Sequence, residues 1–241
     1  NHLGDLGALA NDAAFAFGLT QFMRLKEDWL RLNQHLFGHR LLMDVVIPGG
    51  VAVDLENSGI SELLTQCQEI AKEVKNLRAI YENHAGLQDR FIATGRVTKE
   101  LATTLGLNGF AGRASGIPVD LRADFGMAPY GGHDFKKVVL RNGDVAARVT
   151  VRFDEIAESL RLIRLFATEL APGEILVPLE SVAETKLGAG WIEGWRGEVF
   201  VALESDGKKI HRCHCHDPSW QNWPVLEHAV IGNIVPDFPL I

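Results

Sequence analysis

The 241-residue chain is 46% hydrophobic and 23% charged, with a formal net charge of -7, an ordinary globular composition with room for one large domain or two small ones. Its basic residues are scattered, with no basic stripe interleaved with aromatics, which argues against nucleic acid as a partner. No stretch reads as a signal peptide or is apolar for long enough to cross a bilayer, so membrane attachment is expected through partner subunits rather than through a direct span.

Residues 3–37 carry apolar side chains at close to helical spacing, from Leu6, Ala10 and Ala13 to Trp29, Leu32 and Leu36. This predicts one long helix, buried at its start and amphipathic toward its end, stopped by Gly38. Residues 45–54 are β-branched around Pro48, Gly49 and Gly50, which predicts extended chain with a turn. A second helix is expected from Ser58 to about His84, with Ile60, Leu64, Cys67, Ile70, Val74, Leu77 and Tyr81 on one face. Thr98 is placed to cap a short helix over residues 99–105. Residues 106–132 are rich in glycine and proline and lack periodicity, and such a stretch inside a compact domain is usually functional or mobile.

Helical spacing returns over residues 144–170, with Val145, Val149, Phe153, Ile156, Leu160, Ile163, Ala167 and Leu170 in one stripe. Residues 197–204 and 208–216 then read as a β-hairpin about Asp206 and Gly207, and residues 223–230 as a last short helix. The expected fold is mainly α with a small antiparallel β unit (α+β). Residues 1–185 are expected to form a helical core with the irregular loop 106–132, and residues 186–241 the hairpin and C-terminal segment of the same domain.

Four groups of residues can carry chemistry. His2 and Asp5 are three apart and share a helix face. The pair suits proton transfer or a hydrogen bond to a polar headgroup, although an acid in a first helical turn also simply favours the helix dipole. Arg113, Asp120 and Arg122 lie in the glycine-rich stretch and either frame a cavity or hold an ordered loop together by ion pairs. Glu193, Arg196 and Gly197 put acid, base and glycine into one tight turn before the hairpin. Cys213 and Cys215 alternate with His211, His214 and His216, which are metal-ligand residue types. On a strand, however, the two cysteines face one way and His214 and His216 the other, and no second cluster completes a closed site, so no metal is expected. With Cys67 the chain has three cysteines, too few for a disulfide framework, which fits a reducing compartment.

In succession these pieces resemble the nickel–iron hydrogenase large-subunit superfamily, which includes the quinone-site subunit of NADH:quinone oxidoreductase (complex I). Asn1 to Asp12, with Phe15 to Leu19, Gln21 and Phe22, resembles the formate-hydrogenlyase and hydrogenase-4 type most closely, and His2, Asp5, Gly7 and Ala8 match the shorter pattern of complex I. Pro48 to Gly50, Gly95 to Thr98, Ala114 to Ile117, Asp120 to Arg122, Pro172 to Glu174, Glu193 to Glu198, and Asp206 with Gly207 follow in the family's order. The resemblance implies a helical bundle at the junction between an electron-transfer arm and a membrane arm. It also implies a chain truncated at both ends, lying between the two Cys-x-x-Cys pairs that hold nickel and iron in the hydrogenases.

The implied function is that of part of a membrane-associated redox subunit, a hydrogenase or an NADH:quinone oxidoreductase, exchanging electrons with protons or a quinone. The alternative is a metal-free relative that serves as a docking scaffold. By position, the resemblance makes His2, Asp5, Glu193 and Arg196 the catalytic candidates, with Arg113, Asp120, Arg122 and Gly197 lining the cavity. It implies no cofactor held by these residues themselves, and a nickel–iron centre or a quinone in the whole complex. Its implied partners are the other subunits, including a small iron–sulfur subunit, on the cytoplasmic side of the inner membrane. The segment alone is expected to lack hydrogenase activity and to self-associate through apolar surface on its opening helix.

Overall fold

The computed structural model describes residues 1–126, 128–179, 185–206 and 208–241. In chain order, helices α1 (His2–Asp12) and α2 (Ala16–Phe37) are followed by the two-residue strands β1 (Val46–Ile47) and β2 (Gly50–Val51). Helices α3 (Asn57–Asn83), α4 (Ala85–Phe91), α5 (Lys99–Leu105), α6 (Gly109–Ala114), α7 (Leu121–Asp124) and α8 (Val145–Glu169) come next. Strands β3 (Lys186–Gly194), β4 (Gly197–Ser205) and β5 (Ile210–His216), helix α9 (Ser219–Ala229) and a 3-10 turn over Val235–Leu240 complete the chain. The fold is mainly α with small antiparallel β units, as expected. No helix among the described residues is long and apolar enough to cross a membrane.

Packing groups these elements into two compact units, Asn1–Asn83 with Ile156–Glu180, and His84–Glu155 with Ser181–Ile241. In the first unit the opening helix expected over residues 3–37 is in fact two. Phe15 donates its amide to the Ala10 carbonyl at 2.7 Å, Ala14 takes a φ of 60°, and the chain turns back on itself. The cause is a row of small residues. A Cβ on Gly4 would stand 3.1 Å from Lys26 Nζ, one on Gly7 3.2 Å from Phe22 Cβ, and one on Gly18 2.8 Å from Ala10 Cβ. Residues paired 4 with 26, 7 with 22 and 10 with 18 define two antiparallel helices in close approach. Apolar spacing cannot separate this from one continuous helix, because both helices turn their apolar faces toward each other.

Tyr81 of α3 locks the hairpin. Its hydroxyl donates to the Leu6 carbonyl at 2.8 Å and its ring meets Phe22 edge-on at 5.5 Å. The buried face of α3 runs Gly59, Leu63, Cys67, Ile70, Val74, Leu77 and Tyr81. It opens one residue before the expected Ile60 and Leu64, because Gly59 lies directly under Leu36 and Leu55. Gly38 ends α2 as expected. The turn at Pro48–Gly49 joins β1 to β2, and residues 175–177 extend this ladder through Val51 N–H to the Ile175 carbonyl (2.9 Å) and Val177 N–H to the Gly49 carbonyl (3.0 Å).

In the second unit Thr98 caps α5 through its hydroxyl, which accepts from the Leu101 amide at 3.3 Å. The stretch expected to be irregular, 106–132, contains α6 and α7, so Arg113 is a helical residue rather than a loop residue. The glycines there have a different cause: Gly109 and Gly112 sit where other backbone comes close, not where helix fails. The sheet has order β3-β4-β5, antiparallel throughout. The β4–β5 pairing follows the expected hairpin, with Val201 opposite Cys215 and Phe200 opposite His216. Asp206 accepts from the amides of Lys208 and Lys209, both at 2.8 Å, while Gly207, the other half of the expected turn, lies outside the described residues. Strand β3 was not expected, because Gly188 and Gly190 depress strand propensity. It is held by full backbone pairing with β4, from Lys186 opposite Ser205 to Gly194 opposite Gly197. The core beneath comprises Val97, Ala102, Leu107, Val225 and Ala229 in one cluster and Phe110, Ala114, Ala147 and Val151 in another.

Gly18→Ala tests the helix hairpin. Alanine favours an exposed helix interior by about 1 kcal/mol, but a methyl here would stand 2.8 Å from Ala10, Phe15 and Tyr81 at once. Denaturant unfolding is expected to show a net loss of about 1–3 kcal/mol, and a gain would contradict the packing described.

Candidate functional site

The second unit is built around a close approach of two backbones. Asn108 and Gly109, at the start of α6, lie against the two-residue turn that joins β3 to β4. A Cβ on Gly109 would stand 2.0 Å from the Arg196 carbonyl, and one on Gly197 2.2 Å from Asn108 Oδ1. Both glycines also have positive φ, 63° and 132°, so only glycine serves at either position without strain. This contact brings the last residues of β3 beside α6, one turn from Arg113.

Arg113 is 1% exposed and its guanidinium uses every edge. Nε donates to Glu155 Oε1 at 2.8 Å and Nη2 lies 2.7 Å from the same carboxylate. Nη1 donates to Glu193 Oε1 at 2.9 Å and to the Val119 carbonyl at 3.1 Å, and lies 3.4 Å from Asp120 Oδ2. The side chains of Asp120, Glu155 and Glu193 are 1%, 7% and 3% exposed, so three buried carboxylates share one buried guanidinium. Asp120 has a second cation, Arg122, which grips it with Nε at 2.9 Å and Nη2 at 2.7 Å and stands over the Phe135 ring at 4.7 Å. Asp120 also caps α7 by accepting from the Arg122 amide at 3.1 Å.

Glu193 is placed differently. Its other oxygen accepts from the Leu121 amide at 3.2 Å, and Arg113 is the cation it touches. Burial pushes its carboxyl above the ordinary glutamate range; the bond to Arg113 pulls the other way and the charge of Asp120 adds to the rise. Burial opposes the charge on Arg122, but the bond to Asp120 and the nearby charges of Glu155 and Glu193 raise its pKa nonetheless. The arrangement can hold a proton on a carboxyl that is hydrogen-bonded and shielded from bulk water.

Of the residues singled out in the sequence, the structure thus gathers Arg113, Asp120, Arg122 and Glu193 into one cluster and sets Gly197 beside it. The Arg196 side chain lies over the Trp195 ring at 4.2 Å. His2 and Asp5 belong to the first unit, half-buried on successive turns of α1. Cys213 and Cys215 are exposed on one face of β5 with their Sγ atoms 3.6 Å apart, and the bond between them raises the Cys213 pKa. His214 and His216 project from the other face, edge-on to Trp220 at 5.9 and 5.2 Å. Among the described residues no group of three or more histidines, cysteines or acids is placed to hold a metal ion. The two Cys-x-x-Cys pairs implied by the resemblance are not formed by Cys67, Cys213 and Cys215. These residues do not fit a nickel–iron centre.

Glu155 was missed. The signal was present: it lies four residues after the buried Val151 and directly before Ile156 of the apolar stripe, and a charge so placed needs a partner.

Replacing Arg113 with methionine would leave Glu155 and Glu193 buried without their shared cation. A loss of about 3–5 kcal/mol is expected in denaturant unfolding, with Arg113→Lys recovering little because an ammonium lacks the planar fork. The folded pKa of Glu193 lies above its unfolded value, so its contribution to stability is complete below the unfolded glutamate range and is lost as pH rises through the folded value. Glu193→Gln should remove that part of the pH dependence.

A family model described as the respiratory-chain NADH dehydrogenase 49 kDa subunit matches residues 12–189. Formate hydrogenlyase subunit 5 of Escherichia coli (strain K12) is 28% identical, over 100% of this chain and 42% of that protein. An NADH-quinone oxidoreductase subunit of Clostridium beijerinckii is 30% identical, over 98% of this chain and 65% of that protein. Hydrogenase-4 component G of E. coli is 27% identical, over 100% of this chain and 41% of that protein. The chain therefore spans between 41% and 65% of the length of these relatives. A chain in the structure of the membrane-bound sulfane sulfur reductase, an archaeal respiratory membrane complex, superposes with a TM-score of 0.90 over 99% of this chain and 68% of that one, at 23% identity. The fold is thus shared closely at low sequence identity.

Proposed function

The chain belongs to the family of the 49 kDa subunit of respiratory-chain NADH dehydrogenase, and on that premise we propose that it supplies the helical core of a large subunit in a membrane-attached oxidoreductase complex. Its reaction is electron transfer to or from protons or a quinone, as in a formate-hydrogenlyase-type hydrogenase or an NADH:quinone oxidoreductase. Its partners are the other subunits of that complex, among them a small iron–sulfur subunit. Through them it sits on the cytoplasmic side of the inner membrane.

The observation that carries this reading is Glu193, a buried carboxyl that shares Arg113 with Asp120 and Glu155. Redox chemistry at a quinone or at protons needs groups that take up and release a proton close to neutrality. Burial moves Glu193 toward that range, while Arg113 and the Leu121 amide fix where the carboxyl points. His2 and Asp5 serve as an acid–imidazole pair, suited to hydrogen-bond a polar headgroup. A quinone headgroup fits an imidazole and a carboxylate set on neighbouring helical turns.

The test uses the assembled complex. Asp5→Asn is expected to lower turnover by about a hundredfold or more without loss of partner chains. The native complex is expected to lose turnover as pH rises and Glu193 ionises, and Glu193→Gln is expected to remove that fall. If both variants keep full turnover and the native pH profile, the chain is a metal-free docking scaffold and the catalytic reading is wrong.

A further inference from the structure

Strand β5 lies at the edge of its sheet and carries two cysteines that take no part in the Arg113 cluster. Cys213 stands opposite Leu203 and Cys215 opposite Val201, so both thiols share one face of the sheet with apolar neighbours. Both cysteines are exposed, and their Sγ atoms are 3.6 Å apart. Gly188 and Gly190 of β3, which pair with Leu203 and Val201, add no side chain to that face.

The histidines of the strand are engaged elsewhere. His214 and His216 lie on the opposite face against Trp220, and His216 Nε2 stands 2.9 Å from Gln221 Nε2. His211 falls where the β4–β5 register shifts, and its Nε2 lies 3.1 Å from Asp206 Oδ2. Among the described residues no third histidine, cysteine or acid joins the two sulfurs to hold a metal. A closed zinc site needs about four converging ligands, and β5 does not supply them. A disulfide is also disfavoured, because it needs Cβ atoms about 3.5–4.5 Å apart and alternate residues of a strand stand about 6.7 Å apart. The side chains thus bring the sulfurs together where the backbone does not follow. An ion about 2.3 Å from each sulfur bridges any pair up to about 4.6 Å apart, which includes this one.

We propose that Cys213 and Cys215 form a clip for one copper(I) ion, held between the two sulfurs at the edge of the sheet. Thiolates select this soft ion, and two of them satisfy it where zinc asks for four ligands. As the ion binds, each sulfur exchanges its proton for a bond to the metal. Two protons leave to solvent, no electron is transferred, and the site becomes singly negative. Val201 and Leu203 beside the thiols carry no competing side-chain oxygen or nitrogen. The clip is separate from the Arg113 cluster and does not depend on the redox reading.

Anaerobic titration of the reduced 241-residue chain tests it, with copper(I) added as its acetonitrile complex in competition with a copper(I) chelator. One ion per chain is expected, and X-ray absorption of the loaded chain should show two sulfur neighbours and no imidazole nitrogen. Cys213→Ser and Cys215→Ser are each expected to lose that equivalent. Both side chains are exposed, so each variant should keep the native circular dichroism, and both retain Cys67. The double variant His214→Ala, His216→Ala is expected to bind copper(I) as the native chain does. Absence of a tightly bound equivalent would overturn the proposal. So would one ion shared by two chains, imidazole nitrogen at the metal, or binding that survives in the serine variants.

Discussion

A guanidinium cannot shed its proton at any physiological pH, so a buried arginine must be met by acceptors on all its edges or not be buried. Arg113 imposes this constraint on the second unit. It draws together α6, the segment ending at Asp120, the first half of α8 and the end of β3. The glycines at 109 and 197 follow from the same demand. Glu193 reaches Arg113 because the turn after it presses against the start of α6, and a side chain at either glycine would push the two apart.

The acids that satisfy Arg113 gain chemical character from it. Asp120 is held by two guanidiniums and by the cap of α7. Glu193 has a share in one guanidinium and a single amide, and burial raises its pKa. A cluster of this kind is rigid in structure and soft toward a proton. The same unit holds the reverse imbalance at Arg148, a buried arginine whose Nη2 has no hydrogen-bond partner. Charge is therefore unevenly matched inside one unit, with acid crowded at one arginine and lacking at the other.

The order of helices and the late hairpin were legible because their signals are local: Gly38 after α2, Thr98 before α5, and the apolar stripe of α8 each act within a few residues. What the sequence concealed depends on segments far apart in the chain. The break at residues 13–15 follows from Gly4, Gly7 and Gly18 meeting across a helix pair, which spacing on a single helix cannot reveal. Strand β3 exists because β4 pairs with it, despite Gly188 and Gly190. Arg113, Asp120, Arg122 and Glu193 were visible as polar residues in unusual surroundings, but their convergence was not, since Glu193 lies 80 residues from Arg113. Glu155 stayed hidden inside a helix dominated by its apolar stripe. Family resemblance supplied the order of the motifs, and only the geometry shows which of them touch.

The most direct measurement is the titration of Glu193 itself, by carbon-13 NMR of the folded chain labelled at glutamate carboxyls and assigned with Glu193→Gln. The account requires a midpoint above that of an exposed glutamate, shifting when Asp120 is replaced by asparagine. A midpoint at or below the ordinary range, indifferent to Asp120, would mean that Arg113 simply neutralises Glu193, and the proton-holding role would fall.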